Sequence, residues 1–570
     1  MKQLTPLDAQ FFYSDAPHQP MVIGSLWICD QRTAPGGLVR HKDIIRYFSS
    51  RLSSTSLFRR RLQHAPLRLD DPYWVEDKSF DLEYHIRHVG LPQPGDWRQL
   101  SIFTARAMSR TLDMERAPWE LTIIEGLDKV EGVPPGSFAL LLRFHHSYID
   151  GKAGIEINNL LMTDQPEFDE DTYRQPFNEQ MPSAAQMWAR TVPRLATQPL
   201  RSLRAGLKAS SAGWQLMSRM RGEDRPSQPR APVTLFNTQI SPHRTFGGLS
   251  WASADLKQMR RLVEGATLND VILTLIGGGL RRYLLRREAL PESQSLVALC
   301  PVAIAPEQRQ RQTGNLLSGM LIGIGSDIED PVERLRVISE RTRSGTGLAR
   351  EVVHELIVSM GELVPAPMRM LSGWMKNQLR YVGNHPLCNT LVTNIPGPTG
   401  PSRHKYFAGA EVLALYPIPP VADGLALCHG ITSLHGQFVL GVICDRDLFA
   451  GHGRLHPVPA AVHGAMPGSG KPAGSAAGHR NAHGEIPQAG CLAAARRGVL
   501  LVNQRRTAHP MTETGHGMPC PAAPEDRHVQ ATHCSFYVAP AHGRGTQLRR
   551  LGRARRCAGP AQRDGRLARQ

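Results

Sequence analysis

The chain is made of two unlike materials, and the boundary between them near residue 450 limits what can fold. Of the 120 residues in 451–570, 65 are Ala, Gly, Pro or Arg, with sixteen Arg against one Lys. Apart from Val499–Val502 this stretch has no apolar period, so it cannot bury enough surface to offset chain entropy. It is expected to be a disordered basic tail without function, and its composition matches that of a GC-rich gene read out of frame. Its net charge of +12 supplies most of the chain's +17, whereas residues 1–450 carry 50 basic and 45 acidic residues. The basic pI therefore does not argue for a nucleic-acid partner, and none is expected.

Five cysteines stand before the boundary, at 29, 300, 388, 428 and 444, with no CxxC pair. Cys300, Cys428 and Cys444 lie in apolar runs and read as small buried hydrophobes of a reducing compartment. The start, Met1-Lys-Gln-Leu-Thr-Pro-Leu-Asp8, lacks a signal-peptide core, and no apolar run reaches the length of a membrane span. A cytoplasmic protein is expected, whose contact with an inner membrane or a lipid droplet could only be peripheral.

Four segments are expected along the chain. Residues 1–165 mix helix-like spacing (38–52 and 100–112) with a strand-length apolar run, Phe138–Phe144. Residues 166–240 read as a connector. Within it, residues 183–222 hold seven Arg or Lys and no acid, interleaved with Met187, Trp188, Leu203, Leu207 and Trp214. This segment is either a basic amphipathic surface for anionic lipid or an inter-domain helix with a solvated face. Pro193 and Pro199 are expected to break any single long helix there. Residues 241–450 form a second mixed unit, with strands expected at 296–304, 317–325, 390–394, 425–433 and 437–444. The tail follows. Two α/β lobes joined by a connector is the expected architecture.

The run Phe138–Phe144 leads straight into His145-His146-Ser147-Tyr148-Ile149-Asp150-Gly151. A neutral imidazole can take a proton from a hydroxyl near pH 7, which few side chains do without a large pKa shift. Asp150 can lock the loop, and Gly151 allows a tight backbone beyond it. The plainer reading is a pair of structural histidines at a strand end. No third ligand stands at zinc spacing, so no metal is expected. Gly468-Ser-Gly-Lys471 fails as a phosphate loop because Pro472 replaces the Ser/Thr.

This segment resembles the HHxxxDG motif of the bacterial wax ester synthase/diacylglycerol acyltransferase family, within the CoA-dependent acyltransferases of chloramphenicol-acetyltransferase fold. Leu4-Thr-Pro-Leu-Asp8-Ala-Gln-Phe11, Trp119-Glu120, Ile124–Leu127, Asn269-Asp270, Thr393-Asn394-Ile395-Pro396-Gly397-Pro398 and Gly441–Asp447 resemble its other segments in order and spacing. Departures are Ala117-Pro118-Trp119 for the family's Pro-Leu-Trp, and Thr393 for its usual Ser. The resemblance covers about residues 1–450. It implies an α/β (α+β) fold of two chloramphenicol-acetyltransferase-like lobes with the active site in a tunnel between them. It implies His146 as general base, His145 beside it, Asp150 as a structural residue that orients the loop with Gly151, and no cofactor. Acyl-CoA would be a co-substrate, with diacylglycerol or a fatty alcohol as acceptor. Asn269, Asp270 and Asn394 would lie near the site, although helix capping explains the first two equally well, and Pro396-Gly397-Pro398 fixes a turn whatever its function. The alternatives are a condensation-type acyltransferase using carrier-protein thioesters, and a non-catalytic lipid-surface protein of the same fold.

Overall fold

The computed structural model describes residues 2–52, 55–149, 151–167, 182–220, 230–302, 318–344 and 363–449, so the expectations for the tail lie outside the described residues. Along the first part of the chain run β1 (Lys2–Gln3), β2 (Val22–Asp30), β3 (Arg60–Gln63), β4 (Tyr73–Glu76), β5 (Ile86–Gly90), β6 (Trp119–Glu125) and β7 (Phe138–His145). Then come β8 (Arg244–Ala252), β9 (Val297–Val302), β10 (Ser318–Gly323), β11 (Thr390–Asn394), β12 (Tyr406–Phe407), β13 (Ala410–Ile418), β14 (Leu427–Leu434) and β15 (Gln437–Asp445). They form two six-stranded sheets, in the orders β12-β13-β2-β7-β6-β5 and β10-β9-β11-β14-β15-β8, and a small sheet β1-β4-β3.

β7 is interior to the first sheet and buried along its whole length, so both its faces must be apolar. The period of two sorts its side chains. Phe138, Leu140, Leu142 and Phe144 enter a core with Trp27, Phe48, Phe58 and Trp119. Ala139 and Leu141 enter another with Phe246, Cys428 and Ile443 of the second sheet. The two sheets therefore share one apolar layer. A third core lies where helix Leu268–Leu285 covers the second sheet.

The expected lobe boundaries, 1–165 and 241–450, are crossed. β12 and β13 come from the second half of the chain yet complete the first sheet, with β13 paired antiparallel to β2 from Glu411↔Asp30 to Ile418↔Gly24. Without β13, the edge of β2 would present unpaired backbone groups. Nothing local in a strand's own pattern names the sheet it joins. The expected break at Pro193 and Pro199 also gives way, because residues Ala184–Met220 form one helix containing both prolines. Packing, an ion pair and a side-chain bond within the helix hold it together across the two prolines. Met187 and Ala205 are buried, Arg194 Nε lies 2.8 Å from Asp70, and the Thr197 hydroxyl donates to the Pro193 carbonyl at 2.8 Å.

Candidate active site

The site is built where β7 ends. His145 is the last residue of the strand and pairs with Val22 of β2. Its N–H donates to the Pro118 carbonyl (3.0 Å), the His146 N–H donates to the Met21 carbonyl (2.7 Å), and the Tyr148 N–H closes a turn on the His145 carbonyl (2.9 Å). Helix α1 (Gly151–Leu161) then begins. Gly151 thus opens a helix, and Asp150, with its expected orienting role, lies outside the described residues. Strand, turn and helix hold the two histidines on rigid supports.

The two imidazoles have different surroundings. His145 is fully buried, and its Nδ1 accepts from the Ser147 N–H (3.2 Å) and lies 2.7 Å from the Ser147 hydroxyl. An accepting Nδ1 leaves the ring proton on Nε2, which faces Asp15 Oδ1 at 3.8 Å. Burial, with His146 adding to it, pushes the His145 pKa down to about 3. His146 keeps part of its surface open. Its ring stacks on Phe11, centroids 3.9 Å apart and planes 17° from parallel. Burial holds its pKa down to about 4, so it is neutral at pH 7. Asp15 is pushed up to about 6 by burial, against a hydrogen bond from the Met21 N–H (2.7 Å).

Phe11 belongs to the helix Pro6–Ser14, capped by the Thr5 hydroxyl, which accepts from the Asp8 N–H at 3.2 Å. The segment Leu4–Phe11 therefore supplies the ring that braces His146. Phe11, Asp15 and Ser147 are absent from the sequence-predicted site. Ser147 was signalled by its place in the motif and Phe11 by its place in the Leu4–Phe11 segment, but nothing in the sequence tied Phe11 or Asp15 to the histidines, more than a hundred residues away. Beneath the site, Arg143, with 2% of its side chain exposed, donates to Glu120 Oε1 (2.6 Å) and the Ala107 carbonyl (2.6 Å). Burial pushes the Glu120 carboxyl up, but Arg143 and Arg87 outweigh it and hold it below its usual range.

The other expected residues fall in the second half. Asp270 is the third residue of helix Leu268–Leu285 in a reciprocal cap with Thr267 (2.8 and 3.2 Å), and its other oxygen accepts from Thr342 at 2.8 Å. Its carboxylate is thereby committed to capping and packing. Asn269 is half-buried beside it. Asn394 is exposed at the end of β11. The turn after it runs close to β14, where a Cβ on Gly397 would stand 1.9 Å from the Ser433 carbonyl oxygen. Beyond it the Thr399 N–H donates to Asn159 Oδ1 (2.9 Å), so this turn docks on α1, the helix that follows the histidines. His429 on β14 is a buried histidine that the sequence did not single out. Its Nδ1 lies 3.0 Å from the Thr390 hydroxyl, and burial lowers its pKa to about 4.

Residues 4–272 match the wax ester synthase/diacylglycerol acyltransferase catalytic domain, and residues 313–456 match the WS/DGAT C-terminal domain. The chain belongs to the wax ester synthase/diacylglycerol acyltransferase family. The O-acyltransferase WSD of Acinetobacter baylyi is 27% identical over 460 residues, covering 78% of this chain and 93% of that protein. A Mycobacterium tuberculosis relative, Rv3480c, is 30% identical over 501 residues with the same coverage, 78% and 93%. Among solved structures, the wax ester synthase/diacylglycerol acyltransferase of Marinobacter aquaeolei VT8 superposes with a TM-score of 0.55 at 26% identity, over 81% of this chain and 98% of that one. Every strand of the two six-stranded sheets except β9 lies in one of the two matched segments, and β13 lies within the second of them.

Proposed function

We propose that this acyltransferase moves a long-chain acyl group from acyl-CoA to the hydroxyl of diacylglycerol or a fatty alcohol, with His146 as general base. The observation that carries this reading is the contrast between the two imidazoles. His145 is closed off and engaged with Ser147, while His146 is neutral, braced by Phe11 and partly open. His146 takes the acceptor's hydroxyl proton as that oxygen attacks the thioester carbonyl. The C–S bond then breaks, and CoA leaves as a thiolate that takes the proton from His146. No acyl-enzyme is needed. Because burial disfavours the imidazolium, His146 holds the proton only briefly before it passes to the leaving thiolate. Holding both substrates together supplies the large orientation term. The test offers palmitoyl-CoA with either hexadecanol or a diacylglycerol and follows thiol release and ester product. Thiol release with no ester from either acceptor would refute the reading.

Water-insoluble acceptors have to be collected from a lipid surface. No helix among the described residues is long and apolar enough to cross a membrane, so contact through these helices is peripheral. The long helix Ala184–Met220 exposes Leu203, Leu207 and Trp214 (71%) among Arg190, Arg201, Arg204 and Lys208. Next to it, helix Ala366–Leu379 exposes Met368, Leu371 and Trp374. Ser202 donates to the Leu363 carbonyl at 2.9 Å just before that helix, and Gly373 packs on the Tyr13 carbonyl beside the active site. Apolar side chains rimmed by cations suit an anionic bilayer. Reversing Arg190, Arg201 and Arg204 to Glu is expected to weaken binding to phosphatidylserine vesicles at least about a hundredfold, at about 1 kcal/mol per lost charge. Arg194 is left intact because it is paired with Asp70. Equal sedimentation of variant and parent would leave the helix as a plain connector.

A further inference from the structure

Away from the active site, two hairpins from different sheets bring His404, Glu411 and His435 together. β12 and β13 form the hairpin that the second half of the chain adds to the first sheet. Tyr406 pairs with Glu411 across it, and His404 stands two residues before Tyr406. β14 and β15 belong to the second sheet and turn at His435 and Gly436, both at positive φ (54° and 73°). Left-handed backbone is uncommon for a residue other than glycine, although histidine, like asparagine, tolerates it better than most. Here the turn directs the ring toward the other hairpin.

His404 Nδ1 lies 2.5 Å and His435 Nδ1 3.5 Å from Glu411 Oε1, and one donor atom from each of the three residues lies within 4.8 Å of the others. Four-coordinate zinc at 2.0–2.1 Å needs donors about 3.3 Å apart, so side-chain shifts of roughly 1 Å would complete the geometry. Glu411 and His435 are half-buried on a strand and a tight turn, while the exposed His404 has room to adjust. Lys405 is drawn away by Asp164 and by the Thr399 carbonyl at 2.8 Å. Arg403 donates to the His435 carbonyl at 3.1 Å and fixes the turn. Their charges oppose a dication, which two imidazoles and a carboxylate must outweigh.

We propose that His404, Glu411 and His435 bind a divalent transition-metal ion of the zinc type, with water completing the shell, and that the ion fastens the crossing hairpin to the second sheet. Two nitrogens and one oxygen suit zinc or its neighbours better than magnesium. The test strips the full-length protein with chelator and titrates ZnCl2 into parent, His404→Ala, and Glu411→Gln/His435→Asn. His404 is exposed, so its variant keeps the fold, and Asn tolerates the left-handed turn. The tail's ten histidines and four cysteines give a zinc background, so the difference between proteins decides. The parent is expected to take up one equivalent more than either variant. Its Tm should rise by several degrees with ZnCl2 and not with MgCl2, and both variants should lose that rise. Equal zinc uptake by parent and His404→Ala, or a Tm rise that survives in both variants, would overturn the site and leave a hydrogen-bonded cluster.

Discussion

His146→Ala is expected to lower acyl transfer at least about a hundredfold while leaving the melting temperature nearly unchanged, because general-base removal costs about that much and the ring is not part of a core cluster. Phe11 loses a stacking partner, which is a small term beside the lost proton acceptor. His145→Ala should behave differently. It removes a fully buried ring and strands the Ser147 N–H, so its activity loss should come with a fall in stability of about 1–3 kcal/mol. The measurement is kcat and Tm on both variants. A folded His146→Ala that retains most of its turnover would remove His146 from the mechanism. If His145→Ala were the worse catalyst at equal stability, the roles of the two rings would be exchanged.

What could be read from the sequence depended on whether the signal was local. β7 and its histidines were legible because a continuous apolar run ends directly in the motif. β11 falls at Thr390–Asn394 as expected, and the β14–β15 hairpin turns at His435-Gly436, because a β pattern on either side of a Gly-containing dipeptide defines a hairpin without outside help. β13 was not among the expected strands, and nothing in its own pattern says that it completes the sheet beside β2. The proline argument failed at Ala184–Met220 because it weighs one missing hydrogen bond and ignores tertiary contacts along the rest of the helix. Asp270 was left between cap and site, although Thr267-x-x-Asp270 has the spacing of a reciprocal cap, and the structure shows that cap. Phe11 and Asp15 reach the histidines only through the fold. Residues without a local partner in sequence need the three-dimensional path before they can be assigned.

The second large effect expected is a steep loss of stability between pH 6.5 and pH 4. Burial depresses His145 to about 3 and His146 and His429 to about 4, whereas in the unfolded chain each titrates near 6.5. Across that window the unfolded state binds three protons that the native state refuses, so stability rises with pH. Asp15 acts in the opposite sense. Burial raises it to about 6, so between about pH 4 and 6 the native state holds a proton that the unfolded chain has released. Taking these four groups alone, the excess near pH 5 is about two protons on the unfolded side, or roughly 3 kcal/mol per pH unit, and Asp71, also raised by burial, works against it. His18, His64 and His85 are lowered by burial as well and add to the same slope. Above about pH 7.5 the histidines are neutral in both states and the slope should flatten. Urea midpoints at pH 7, 6 and 5 measure it. Two variants apportion the effect at sites of opposite sign: His429→Gln should make the slope near pH 5 shallower by about one proton, and Asp15→Asn should steepen it by about one. Equal midpoints at pH 7 and pH 5 would mean that these rings are protonated in the folded protein. His146 could not then be the neutral base that acyl transfer needs at low pH, and its rate should fall with protonation near pH 6.5 instead of persisting toward pH 5.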